Sequence, residues 1–155
     1  MTDRDYMLLA IDLAKEAAAE GEVPVGAVVV RHGEVIGTGR NRREKGKSAL
    51  AHAELEAIET ACKNVGGWRL WDCEMYVTLE PCPMCTGAII NSRIRKLIYG
   101  AKDSKAGSCS SVINLFELPY NHKPEVTGGF MEEECSAMLT SFFREIRKSR
   151  ETSGQ

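Results

Sequence analysis

Two short runs hold most of the chemistry in this sequence: His52-Ala53-Glu54 and, further along, Pro81-Cys82-Pro83-Met84-Cys85. Imidazole and thiolate are ligands that zinc favours, in tetrahedral geometry. Cys82 and Cys85 lie three apart, so within a first helical turn they share one face. A helix N-terminus at that point also favours thiolate, because free N–H groups and the helix dipole stabilise negative charge. His52, opening the preceding helix, is the third ligand. Three protein ligands leave a fourth place for water, which distinguishes a catalytic zinc site from a closed structural one. Glu54 sits two residues from the ligand. It can face the bound water, take its proton and return it to a substrate and its leaving group. A lone Cys-x-x-Cys would equally fit a structural zinc clip or two unrelated thiols. The His-x-Glu upstream selects the hydrolytic reading, with one Zn2+ per subunit.

These groups need elements to hold them. Thr2 and Asp5 form the ends of a capping box, and a first helix runs through the Ala-rich stretch to about Gly21. Val25–Arg31 and Glu34–Gly39 are β-rich, and His32-Gly33 reads as the hairpin turn between them. A polar loop, Arg40–Ser48, leads to a second helix from about Ala51 to Lys63, stopped by Asn64-Val65-Gly66-Gly67. Met75–Leu79 is a buried strand. Pro81 and Pro83 start a third helix. Arg95–Gly100 is a strand, Ser110–Glu117 a short helix, Glu125–Val126 a strand, and a final helix begins near Met131. Helices alternating with strands after a hairpin predict a mixed sheet covered by helices on both faces, an α/β fold.

The remaining composition narrows the function. At 155 residues the chain is expected to be a single domain, 1–155, with the last few residues a disordered tail. No apolar run approaches the roughly 18 residues of a membrane span. The polar start Met1-Thr2-Asp3-Arg4-Asp5 lacks the order of a signal peptide. A cytoplasmic location is therefore expected, with the six cysteines as thiols or metal ligands. Cys62, Cys73, Cys109 and Cys135 have no partner spacing and read as small core residues. His32 reads as a turn residue and His122 as structural. A net charge of −2 excludes a uniformly basic nucleic-acid binder but not a local basic face. Bases gather in 40–47, in 93–105 and in Arg144, Arg147, Lys148 and Arg150. Convergence of these segments would give a rim for a polyanion.

His-x-Glu followed by Pro-Cys-x-x-Cys is the signature of zinc deaminases, and from about residue 3 to 148 the sequence resembles the bacterial tRNA-specific adenosine deaminases of the cytidine deaminase-like superfamily. Beyond the zinc runs, the resemblance rests on Glu22-Val23-Pro24-Val25-Gly26-Ala27, Asn41, Tyr76-Val77-Thr78-Leu79-Glu80, Ser92-Arg93-Ile94, Gly100-Ala101-Lys102-Asp103, Lys105-Ala106-Gly107, Asn121-His122 and Phe142-Phe143-Arg144. It implies a three-layer α/β/α fold with a central mixed five-stranded sheet, a homodimer, and conversion of the wobble adenosine of a tRNA anticodon loop to inosine. It further implies that Asn41 bonds the extruded base or its ribose and that Val23 lines the pocket. Asp103 and Lys105 would touch flanking nucleotides, and Phe143 and Arg144 would approach the anticodon stem-loop. The family commonly has Asp-Pro-Thr-Ala before His-Ala-Glu; this chain has Ser48-Ala49-Leu50-Ala51, so a different shape is expected of the loop beside the pocket, with the chemistry unchanged.

Two rival functions follow from the same residues. One is deamination of a free base or nucleoside (guanine, cytosine or cytidine), which needs no polyanion rim. The other is a non-catalytic zinc-containing RNA-binding protein, which has no use for Glu54 beside an open coordination place.

Overall fold

A computed structural model describes residues 1–152. The tail expected at the very end lies outside the described residues. α1 (Asp3–Ala19) starts on the capping box read from the sequence: the Thr2 hydroxyl accepts from the Asp5 amide and the Asp5 carboxylate accepts from the Thr2 amide. The helix stops at Ala19, and Gly21 takes the left-handed conformation just beyond it. The hairpin β1 (Gly26–Arg31) and β2 (Glu34–Arg40) turns at His32 and Gly33, both with positive φ. Then follow α2 (Ala53–Val65), β3 (Cys73–Leu79), α3 (Pro83–Ser92), β4 (Lys96–Ala101), a 3-10 turn (Leu115–Glu117), β5 (Glu125–Thr127) and α4 (Glu132–Thr152).

The five strands order as β2-β1-β3-β4-β5. β1 pairs antiparallel with both β2 and β3, while β3, β4 and β5 are parallel. Alternate residues of each strand feed opposite faces, so the central strands are apolar on both sides. Ala27, Val29, Met75, Val77 and Leu97 pack under α2 and α3. Val28, Val30, Tyr76 and Ile98 pack against α1 and α4. The result is the expected α/β/α sandwich with a mixed five-stranded sheet.

Seating α2 on the sheet requires glycine. A Cβ at Gly39 would run into the Ala53 carbonyl oxygen, and one at Gly37 into that of Ala57. Without those side chains the helix axis drops onto β2, which fixes the height of its N-terminus. Both helices that carry the zinc-type residues therefore begin at one end of the sheet, where β3 ends and β4 runs into its loop, as is usual for sites in α/β folds.

One expected element is different. Ser110–Glu117 is not a helix; only Leu115–Glu117 makes a 3-10 turn. The amides of Cys109, Ser110 and Ser111 instead donate to the carboxylate of Glu80. A side chain from the residue just beyond β3 has taken the donors that a helix start there would present.

Candidate active site

His52 is the N-cap of α2 and Cys82 the N-cap of α3; both have extended backbone, and Cys85 lies in the first turn of α3. The helices thus begin at His52 and Cys82, and Pro81 stands outside α3. The His52 Nδ1 is 3.6 Å from Cys82 Sγ and 3.5 Å from Cys85 Sγ. All three donor atoms lie within 4.8 Å of one another. A tetrahedral zinc with Zn–S near 2.3 Å and Zn–N near 2.1 Å needs an S···N edge of about 3.6 Å. The donor set and its spacing fit that ion.

The electrostatics of the cluster point the same way. Hydrogen bonds from Cys85 and His52 outweigh burial at Cys82 and bring its thiol down to about 4. The Cys85 thiol moves up, because it donates to Cys82 and is buried. The hydrogen bond with Cys82 raises His52. Glu54 is only 4% exposed, and burial pushes its carboxyl up to about 7. It is placed at the N-terminus of α2, beside the three donors, and interacts with Cys85.

The cluster opens into a pocket of about 500 Å³ lined by Val23, Asn41, His52, Glu54, Cys82, Asp103, Lys105 and Phe143, among others. Cys85 lies buried behind it. Of the residues expected to meet the RNA, Arg144 is exposed on α4 and is not among those that line the pocket. Phe143 is 45% exposed at the pocket, with its ring edge-on to Phe142, and is no core residue.

Several of these residues are already engaged. Asn41 Nδ2 donates to the Val23 carbonyl and its Oδ1 accepts from the Arg43 amide, which leaves one N–H and one lone pair. Asp103 Oδ1 accepts from the amides of Lys105 and Ala106, so this carboxylate shapes its own turn. In the loop that departs from the family pattern, the Ser48 hydroxyl accepts from the Leu50 amide, and Leu50 stands 63% exposed.

The three basic segments do not converge as expected. Arg40 pairs with Glu16 and Glu20, Lys45 with Glu20, and Arg42 with Glu56. Among the described residues, Arg43 is the one base of that segment that lines the pocket. Arg93, Arg95 and Lys96 sit at the start of β4, and Lys102 and Lys105 follow its end, so the strand carries the two groups to opposite ends of the sheet. The basic rim at the pocket is therefore Arg43, Lys102 and Lys105, none with an ion-pair partner among the described residues.

Two buried carboxylates, Glu22 and Glu80, have roles that the sequence alone does not assign them. Glu22 accepts from the amides of Glu44 and Lys45 and holds the loop before α2. Glu80, which lines the pocket, accepts from the amides of Asp103, Cys109, Ser110 and Ser111 and from the Ser111 hydroxyl. Burial pushes the Glu80 carboxyl up, but the Ser111 and backbone hydrogen bonds outweigh it and the net shift is downward. The available signal was an acid directly after the buried run Met75–Leu79, where an unpaired charge would be expensive. The other thiols behave as expected: Cys73, Cys109 and Cys135 are buried, and Cys62 is partly buried against the core. His122 is structural, bonded to the Ile94 carbonyl at 2.7 Å.

Comparison with known proteins agrees with this geometry. Residues 1–101 match the cytidine and deoxycytidylate deaminase zinc-binding region. The chain is 50% identical to a tRNA-specific adenosine deaminase of Bacillus subtilis over 96% of its length and 92% of that protein. It is 43% identical to one of Haemophilus influenzae, over 96% and 87%. A solved structure from work on A-to-I editing by tRNA:A34 deaminases at the wobble position of transfer RNA superposes with a TM-score of 0.85 and 42% identity, covering 88% of this chain and 99% of that one. Matched over nearly its whole length by such relatives, and carrying the zinc-type donors where their shared region falls, the chain belongs to the tRNA-specific adenosine deaminases, within the family of the cytidine and deoxycytidylate deaminase zinc-binding region.

Proposed function

We propose that this protein is a zinc-dependent enzyme that hydrolytically deaminates the wobble adenosine of a tRNA anticodon loop to inosine, releasing ammonia. The observation that carries the reading is the buried Glu54 carboxylate beside the His52, Cys82 and Cys85 donors, at a pocket whose lining includes three cations with no ion-pair partner among the described residues. His52, Cys82 and Cys85 would hold the ion, one per subunit. Zinc bound there would bring a water's pKa toward about 7 and so make it nucleophilic at neutral pH.

Glu54 is the catalytic residue and moves the protons. It accepts one from the attacking water and delivers it to N1 of the adenine ring as C6 is attacked. It then takes the remaining proton from the new C6 hydroxyl and hands it to the amino group, which leaves as ammonia as the C6 carbonyl forms. Its apolar burial suits this duty, since a carboxyl that holds and releases a proton near neutral pH can serve as both base and acid. Val23 packs against the base, and the remaining N–H and lone pair of Asn41 face the base or its ribose. An adenosine in a loop is inexpensive to extrude because no duplex holds it. Arg43, Lys102 and Lys105 neutralise phosphates around it without reading bases. Asp103, Lys105 and Phe143 meet the flanking nucleotides, and Arg144 meets the stem-loop away from the pocket.

Residues 1–155 act as one deaminase domain, a reading supported by a single sheet that carries both helical layers. A homodimer is supported by the exposed apolar side chains Val112, Ile113 and Leu118 around the 3-10 turn that packs on α3. No helix among the described residues is long and apolar enough to cross a membrane, in keeping with work on tRNA in the cytoplasm. The test is incubation with deacylated tRNA, nuclease digestion and detection of inosine by mass. Inosine formation in tRNA that is lost when the protein is first stripped of zinc by a chelator supports the assignment. Efficient turnover of guanine, cytosine or cytidine with tRNA left unmodified would overturn it in favour of a free-base or nucleoside deaminase.

A further inference from the structure

Glu80 directly follows β3 and leads into Pro81-Cys82, and its carboxylate is bonded to the loop after β4. Its carboxylate is 2% exposed and has no cationic partner among the described residues. One oxygen accepts from the Asp103 amide at 3.1 Å and from the Ser111 hydroxyl. The other accepts from Cys109, Ser110 and Ser111 amides at 3.1, 2.9 and 3.0 Å. The loop closes tightly over it: a Cβ on Gly107 would run into the Glu80 carboxylate carbon and oxygen. Two main-chain bonds tie the same loop together, from Gly107 N to Asp103 O at 2.9 Å and from Ser108 N to Pro81 O at 2.9 Å. Five donors on one buried anion fix both ends of a segment that has no regular secondary structure of its own. That segment presents Lys102, Asp103 and Lys105 to the pocket.

We infer that Glu80 is a positioning residue for substrate recognition: it sets the loop that grips the nucleotides flanking the reactive adenosine, and leaves the zinc chemistry to its neighbours. The inference rests on the deaminase reading above. A carboxylate suits the task because both oxygens must accept. In Glu80→Gln one oxygen becomes an NH2 group. Whichever way the amide turns, that group faces donors, and at least one backbone N–H loses its acceptor. The loop then loosens while His52, Cys82, Cys85 and Glu54 stay in place. Contacts made equally in the ground and transition states appear in KM and not in kcat.

The experiment compares wild type, Glu80→Gln, Gly107→Ala and the double variant on an anticodon stem-loop, with zinc content and melting temperature measured alongside. The expected result for Glu80→Gln is a KM raised about tenfold, the size of one lost charge-assisted hydrogen bond, with kcat within about threefold and zinc unchanged. Gly107→Ala disturbs the same clamp from the other side and raises KM similarly. The two effects in the double variant fall well short of multiplying, since they break one unit. An unchanged KM in Glu80→Gln, a fall in kcat with KM unchanged, or fully multiplicative effects would overturn the inference. If Glu80→Gln does not fold, Ser111→Ala removes a single donor from the exposed side and must show the same KM rise in smaller measure; no rise overturns the inference. Absence of inosine with the wild-type protein would strike the deaminase reading itself, which the same series reveals before any variant is compared.

Discussion

Replacing Lys102 and Lys105 by alanine tests the polyanion rim quantitatively. Three cations line the pocket with no ion-pair partner among the described residues: Arg43, Lys102 and Lys105. If each neutralises one phosphate of single-stranded RNA, the slope of log K against log salt is about −0.7 per contact, or about −2 for the set. Between 50 and 200 mM salt that corresponds to a roughly 18-fold loss of affinity. With the two lysines gone the slope falls to about −0.7, and the same salt step weakens binding only about 2.6-fold. Phosphate contacts elsewhere on the protein add equally to both slopes, so the difference of about 1.4 is the quantity to read. The assay is fluorescence anisotropy with a labelled anticodon stem-loop across a salt series, with zinc content confirmed in each variant. Lys45→Ala is the control: that lysine lies in an equally basic stretch, but its charge is already met by Glu20 at 2.8 Å. Its removal leaves the slope where it was. A slope unchanged in the double variant, or lowered equally by Lys45→Ala, would refute the argument that these pocket cations hold the RNA.

Glu54→Ala should lower turnover by at least 10²- to 10⁴-fold, roughly what a general acid–base residue contributes, with zinc retained; near-normal single-turnover rates in a folded variant would assign the proton transfers elsewhere. Cys82→Ser should weaken zinc binding and lower the melting temperature, whereas Cys109→Ser should leave zinc content unaltered, because the Cys109 thiol bonds Thr86 and is not one of the clustered donors; equal zinc loss in metal analysis would contradict the ligand set. Gly39→Ala places a methyl group against the Ala53 carbonyl oxygen; overpacking of this kind destabilises by about 1–3 kcal/mol, or roughly 2–12 °C in melting temperature for a domain of this size. An unchanged melting curve would show that α2 can lift off β2 without penalty.

The metal-type residues were legible because their spacing is local. Cys82 and Cys85 are one helical turn apart, and His52 and Glu54 share a helix start, so the periodicity of a single element predicts which groups meet. The hairpin, the sandwich layers and the glycine-marked helix ends were legible for the same reason. What failed was long-range. The stretch 93–105 reads as one basic block, yet β4 runs through it, and at about 3.3 Å per residue a six-residue strand separates its ends by some 20 Å. Nor does sequence reveal that Arg40, Arg42 and Lys45 spend their charge on Glu16, Glu20 and Glu56, which arrive from two other elements. The missing helix at Ser110–Glu117 has the same origin: its amides are claimed by Glu80, about thirty residues earlier in the chain.

Glu80 and Cys82 lie two residues apart, and this closeness couples recognition to chemistry through rigid backbone. Cys82 faces the donor cluster at the start of α3, while Glu80 faces the loop after β4. Pro81 stands between them, with its restricted φ and with its carbonyl accepting from Ser108. The two side chains diverge from one stiff segment, so the distance from the zinc-type donors to the loop that carries Lys102 and Lys105 is set by covalent geometry more than by packing. A recognition loop held only by surface contacts would drift relative to the reacting atoms, and a small misplacement of a bound nucleotide is enough to lose much of its reactivity. The arrangement also separates failure modes. Damage at His52, Cys82 or Cys85 should appear as lost zinc, damage at Glu54 as lost kcat, and damage to the Glu80 clamp as raised KM. Each carries a different readout although all lie around one pocket.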